Sequence, residues 1–217
     1  MARDTRRFLR RPAFQAALLV PLLAAAALCW APWSAIPGCR AAQKEEAARP
    51  AQWAMPVEKP GLPNLHRIND GLYRGAQPTA EGFQELKKMG IKTVVSLRWL
   101  HSDRDLLGNT GLAYEHIYSK PWNPADEDVV RFLKIATDKA RAPVFVHCQH
   151  GADRTGTMCA IYRIAVCGWS KEEAIKEMTD GGYGFHKTWR NLLHYIRDID
   201  IEDVKLRAGI GEKKENP

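Results

Sequence analysis

Residues 147–156 read HCQHGADRTG and follow directly on Val144-Phe145-Val146. A short apolar run bounded by polar residues reads as a strand buried on both faces, and Thr155 to Val166 reads as a helix with Gly168 beyond its end. The ten residues therefore join a buried strand to a helix. Three readings are open: a metal site, a cradle for a phosphoryl group, or a plain turn.

The metal reading fails on geometry. His147, Cys148 and His150 are competent ligands, but neighbouring residues at a strand end point to opposite faces, so His147 and Cys148 could not easily share one ion. No other pair at ligand spacing occurs in the chain. The phosphate reading fits better. A loop wrapped round a helix N-terminus aims several backbone N–H groups at one point, where the helix dipole also favours an anion. Gly151 lets the backbone approach closely, and Arg154 can grip two phosphoryl oxygens with its planar fork. Cysteine in such a field reacts as its thiolate, so Cys148 reads as a nucleophile facing a bound phosphoryl group.

Working outward, the flanking segments alternate strand and helix. Leu72 to Arg74 is a short strand, Thr79 caps a helix through Met89 that Gly90 stops, and Ile91 to Leu97 is a buried strand. A polar loop follows, then a strand over 113–118, and Asn123-Pro124 opens a helix to Ala140. Ser170 and Glu173 form a capping box for a helix to Thr179, and 186–197 is a last helix after the glycine-rich turn at 180–184. The expected fold is α/β, a mostly parallel central sheet flanked by helices, with ligands gathering where strands end and helices begin.

At 217 residues, with 45% hydrophobic and 26% charged residues, the chain suits a single core. Its net charge of +7 resides mainly in the first eleven residues, where five arginines oppose one aspartate. No basic stripe with interleaved aromatics occurs in the rest, so nucleic acid is not an expected partner. No charge occurs between Arg11 and Arg40, and Ala16 to Trp30 is almost wholly apolar. Residues 1–41 accordingly read as an export signal or a membrane anchor, 42–61 as a flexible linker, 62–207 as the folded domain and 208–217 as a disordered tail. The expected location is outside the cytoplasm, in the periplasm or anchored in the inner membrane. Of five cysteines, Cys159 and Cys167 fall on an apolar helical segment and read as small hydrophobes.

His147-Cys148-x5-Arg154-Thr155-Gly156 resembles the signature of the cysteine-dependent protein tyrosine phosphatases, and Leu72-Tyr73-Arg74-Gly75-Ala76-Gln77-Pro78 makes the domain similar to bacterial dual-specificity members. The resemblance covers about residues 65–195. It implies that Cys148 attacks phosphorus to form a phosphocysteine and that Arg154 holds the equatorial oxygens. Amides from Gln149, His150, Gly151, Ala152 and Asp153 to Arg154 complete the cradle. Thr155 stabilises the departing thiolate, and His147 orients Cys148 from behind. No metal or other cofactor is implied.

A general acid is also implied, an aspartate on a loop before the signature. Asp126 is the leading candidate, with Asp128, Asp103 and Asp105 behind it. Asp126 also suits the first turn of a helix, where a carboxylate merely satisfies amides. Residues 181–186 read as a turn between helices or as a pocket wall. A loop without lysine leans toward phosphoprotein, carrying phosphotyrosine and also phosphoserine or phosphothreonine, or another modestly charged phosphomonoester. The rival readings are a catalytically weak phosphate-recognition protein and another thiolate enzyme, such as a sulfurtransferase or arsenate reductase.

Overall fold

The structure, a computed structural model, describes residues 49–211. Six strands form one sheet in the order β1-β2-β3-β6-β4-β5. These are β1 (Met55–Pro56), β2 (His66–Asn69), β3 (Leu72–Gly75), β4 (Thr93–Ser96), β5 (Ala113–His116) and β6 (Val144–His147). β6 runs parallel to both β3 and β4, and β4 parallel to β5, whereas β1, β2 and β3 are joined antiparallel. The α/β, mostly parallel architecture expected from the sequence is therefore present.

Burial of β4 and β6 on both faces follows from their alternation. Val95, Val144 and Val146 enter one core with helices α3 (Asp126–Thr137), α4 (Asp153–Cys167), α5 (Lys171–Asp180), α6 (Arg190–Asp198) and α7 (Ile201–Ala208). Val94 and Phe145 enter the other, with Phe83 and Leu86 of α1 (Ala80–Lys88) and Leu107 of α2 (Arg104–Leu107). Successive residues thus feed opposite cores, which is why these strands are continuously apolar.

The helix signals act as read at three places. Thr79 Oγ1 accepts the Gly82 N–H at 3.2 Å, Ser170 and Glu173 form a complete capping box, and Gly168 takes the left-handed conformation at the end of α4. At α3 the outcome differs. Asn123 does not cap it; its N–H donates to Lys120 O in a tight turn, and the helix begins three residues later, at Asp126, behind Ala125. The helix ends at Thr137 rather than Ala140, because Asp138 turns extended and its Oδ1 accepts the Ala140 N–H at 2.8 Å. The strand read over 113–118 stops at His116, α2 occupies part of the polar loop, the helix read over 186–197 divides into a 3₁₀ turn (Lys187–Trp189) and α6, and α7, which was not read from the sequence, follows it.

Packing reaches further toward the N-terminus than the sequence indicated. Residues 49–61, read as tether, are tied down: β1 pairs with β2, Ala54 is buried, and the Ala54 N–H donates to Glu177 Oε1 at 2.6 Å. Ala208 also packs in the core, so the C-terminal helix passes the expected boundary at 207. The signal or anchor assigned to 1–41 and the end of the tail lie outside the described residues. Among the described residues no helix is long and apolar enough to cross a membrane.

Glu177 holds this N-terminal segment. Only 4% exposed, it accepts from Arg163 Nε at 2.9 Å and Arg163 Nη2 at 3.1 Å, and from the Tyr183 hydroxyl at 3.1 Å. Removing one partner of a buried ion pair leaves the other charge unpaired, at about 3–5 kcal/mol, whereas replacing both with apolar residues costs far less. Glu177→Ala should lower the unfolding free energy in urea by about that amount, and Arg163→Met with Glu177→Leu should recover most of it. Equal losses in the two variants would refute the ion-pair account.

Candidate active site

β6 is an interior strand of the sheet, so its C-terminal end meets the core of the molecule with parallel neighbours on either side. Residues 148–152 leave that end and α4 starts at Asp153, two residues earlier than the sequence suggested, which places Arg154 inside the first helical turn. Cys148 is 2% exposed, directly after the strand.

Three consecutive carbonyls of the loop are held from outside. Gln149 O accepts the Gln77 N–H at 3.2 Å, His150 O accepts Asn64 Nδ2 at 2.9 Å, and Gly151 O accepts Arg74 Nη2 at 2.6 Å. In a trans peptide the carbonyl and the following N–H point in opposite directions, so these bonds turn the N–H groups of His150, Gly151 and Ala152 the other way. The loop becomes a ring of donors without any charged side chain on it except at its end. Gly151 (φ +69°) is required: a Cβ there would lie 2.5 Å from the Gly75 carbonyl carbon and oxygen. Gly156 is likewise close to α5, where a Cβ would meet Met178 Cγ at 2.9 Å.

Arg154 Nη1 donates to Leu97 O at 3.1 Å, so the end of β4 aims the guanidinium. Thr155 Oγ1 is buried and has no hydrogen-bond partner among the described residues. His147 is fully buried, its Nε2 standing 2.9 Å from Asp103 Oδ2 and its Nδ1 3.3 Å from Cys148 O. Asp103, read as a candidate acid, is therefore behind the loop and fully buried, with Gln77 Nε2 donating to its other oxygen at 2.7 Å. Burial raises this carboxyl, but the contacts from His147 and Gln77 outweigh it and hold it below the usual carboxylate range.

Beside the loop lies a cleft of about 370 Å³. Gln149, His150, Asp153 and Arg154 line it together with Pro121, His186, Thr188 and Trp189. Residues 181–186 thus serve both as the turn between α5 and the 3₁₀ segment and as the approach to the pocket wall. Asp126 is the first residue of α3, and its Oδ1 accepts the Tyr195 hydroxyl at 2.7 Å. Burial and the adjacent Glu127 raise the Asp128 carboxyl. Neither Asp126 nor Asp128 lines the cleft, and Asp105 lies in α2. Burial pushes the Cys159 thiol up to about 11, which keeps it protonated in the core, as a small hydrophobe would be.

Sequence reasoning missed the loop's supports. Arg74, 1% exposed, lies with its guanidinium 3.7 Å from the Tyr183 ring centroid while it holds Gly151 O. A buried arginine in a strand was the available signal, but its partner is 77 residues away.

Asp103→Asn tests the pair behind the loop. The folded carboxyl binds a proton less readily than the unfolded one, so the pair adds stability above about pH 3.9, the ordinary aspartate value, and loses it as pH falls further toward the folded value. The variant should unfold in urea with about 1–3 kcal/mol less stability at pH 7 and should lack that part of the acid loss. Parallel acid limbs in the two proteins would refute this role.

This arrangement has known counterparts. The family described as "DSP-PTPase phosphatase fused to NAD+ Kinase" matches residues 64–188. Dual specificity protein phosphatase TpbA of Pseudomonas aeruginosa is 34% identical over 79% of this chain and 78% of its own. The crystal structure of TpbA superposes with a TM-score of 0.66, covering 73% of this chain and 98% of that one. A cysteine-to-serine form of TpbA in complex with phosphotyrosine gives 0.67, over 75% and 99%. The Siw14 catalytic core, at 20% identity, shares the fold with a TM-score of 0.60. Cys148 and Arg154 at either end of an outward-bonded loop agree with these likenesses: the chain belongs to the DSP-PTPase family, the phosphatases that act through a cysteine.

Proposed function

We propose that this protein hydrolyses phosphomonoesters on proteins, phosphotyrosine foremost, through a phosphocysteine formed on Cys148. The observation that carries the reading is the loop itself, whose three outward-held carbonyls leave inward N–H groups between Cys148 and Arg154. Preorganised donors of this kind stabilise charge as it develops on a transferring phosphoryl group and need no metal. In this reading Gln149, His150, Gly151, Ala152 and Asp153 to Arg154 supply the cradle, and Arg154, aimed by Leu97 O, clamps the equatorial oxygens. Thr155 Oγ1 is available to bond the sulfur as it leaves, and His147, fastened between Asp103 and the Cys148 carbonyl, sets the cysteine's orientation.

A phosphoprotein substrate is favoured by the rim. Trp99, Tyr118 and Trp122 are exposed on loops that follow β4 and β5, with the two tryptophan rings 5.2 Å apart and Lys120 over Trp99 at 5.2 Å. Exposed aromatics beside a cleft suit contact with a polypeptide around the phosphorylated residue. The complex of TpbA with phosphotyrosine supports the same class. A phosphate-recognition protein, a sulfurtransferase or an arsenate reductase is not favoured beside this family membership.

Asp126, the acid expected from the sequence, has its carboxylate engaged by the Tyr195 hydroxyl. The full chain should release phosphate from aryl phosphates and phosphotyrosyl peptides, and Cys148→Ser should reduce turnover at least about 10³-fold. Turnover that survives Cys148→Ser would overturn the reading. Its site of action, in this proposal, is outside the cytoplasm, supported by the arginines and apolar run of residues 1–41. A reporter active only after export should become active when fused behind residues 1–48, and an inactive fusion would place the enzyme inside the cell.

A further inference from the structure

Among the residues that line the cleft stands a second carboxylate–imidazole pair. Asp153 Oδ2 lies 2.8 Å from His186 Nδ1, and Asp153 Oδ1 accepts the His186 backbone N–H at 2.9 Å. The Asp153 side chain is 9% exposed while that of His186 is 47% exposed. An ionised carboxylate can only accept, so Nδ1 carries the proton of this bond and Nε2 is the nitrogen left for other partners. A buried carboxylate that takes both the ring and the backbone of one histidine determines its tautomer and its direction. His186 and Arg154 line the same cleft, and Asp153, the only carboxylate among the described residues that line it, is already committed to His186.

We infer that His186, positioned by Asp153, is the proton donor and acceptor of the reaction. This rests on the phosphocysteine reading above. In the first step the Cys148 Sγ–P bond forms and the P–O bond to the leaving group breaks, while protonated His186 gives its Nε2 proton to the leaving oxygen. In the second, neutral His186 takes a proton from a water whose oxygen bonds phosphorus as the Sγ–P bond breaks. The imidazolium and the thiolate are thereby restored. The Asp153 carboxylate acts only through His186 and makes Asp153 a positioning residue for that step. The titratable and charged groups around His186 are Asp153, His150, whose ring centroid is 5.2 Å away, Arg154 in the same cleft and Lys187 next in the chain.

The test uses the full chain, a series of aryl phosphates from good to poor leaving groups, and EDTA throughout. EDTA is included because nitrogen and oxygen atoms of His150, Asp153 and His186 lie within 4.8 Å of one another, a spacing that would also suit a metal ion. A positioned acid contributes about 10²–10⁴-fold, so His186→Gln should lower kcat on phenyl phosphate by about 100-fold or more and on dinitrophenyl phosphate by far less. The fall of kcat toward alkaline pH should flatten in the same variant. Asp153→Asn should show the same leaving-group trend with a smaller loss, and inorganic phosphate should still inhibit both variants.

A loss equal across leaving groups, or no loss, would overturn the role of His186, as would a leaving-group split that appears in Asp126→Asn instead. Wild-type activity abolished by EDTA would replace the proton donor with a metal. If the wild-type chain shows no Cys148-dependent turnover, the phosphatase reading falls and this inference with it. A leaving-group failure in an active enzyme removes the inference alone.

Discussion

Three peptide units, those that follow Gln149, His150 and Gly151, must face outward, and the site depends on that constraint. A phosphate cradle built from backbone needs its N–H groups convergent, yet a free loop would let the same peptides flip and present their carbonyls, which repel an anion. Here the carbonyls are occupied by the Gln77 N–H, Asn64 and Arg74. The last of these is itself held. Arg74 lies against Tyr183, whose hydroxyl donates to Glu177 and accepts from Arg49 Nη2 at 2.7 Å. Glu177 also takes Arg163 and the Ala54 N–H. Contacts thus run continuously from the segment around Arg49 to the back of the loop, so these N-terminal residues are part of what keeps the cradle in shape.

The enzyme pairs a carboxylate with an imidazole twice, and the surroundings give the two pairs different work. Asp103 and His147 are both fully buried behind Cys148, away from solvent and from the cleft, where their contact can only hold position. Asp153 and His186 lie in front, one nearly buried and the other half exposed on the cleft wall, where a proton could reach substrate and water. Identical functional groups are thereby separated into a support and a candidate participant by burial alone.

Much of the architecture was legible in sequence because it depends on short-range physics. The apolar run Val144-Phe145-Val146, the Thr79 and Ser170 caps and the glycine at 168 each act within a few residues, and each appears where expected. Errors came where a local signal had a competitor. Asn123-Pro124 is a good helix start, but the turn with Lys120 captured Asn123 and moved the start to Asp126. Composition made 49–61 resemble a tether, and only Glu177, more than 120 residues away, shows why Ala54 is buried.

The sequence by itself determined the signature, since Cys148, five residues and Arg154 leading into a helix admit few uses other than holding a phosphoryl group between a thiolate and a guanidinium. Tertiary structure decided what surrounds it. Asp103, Asp126 and Asp128 are equivalent in a sequence as aspartates upstream of the loop, but folding gives the first to His147, gives the second to Tyr195 and leaves the third away from the cleft. It also brings His186, 33 residues from Asp153, to the cleft wall. Spacing encodes chemistry that one turn of chain can complete, whereas which carboxylate meets which partner is settled by packing between distant elements.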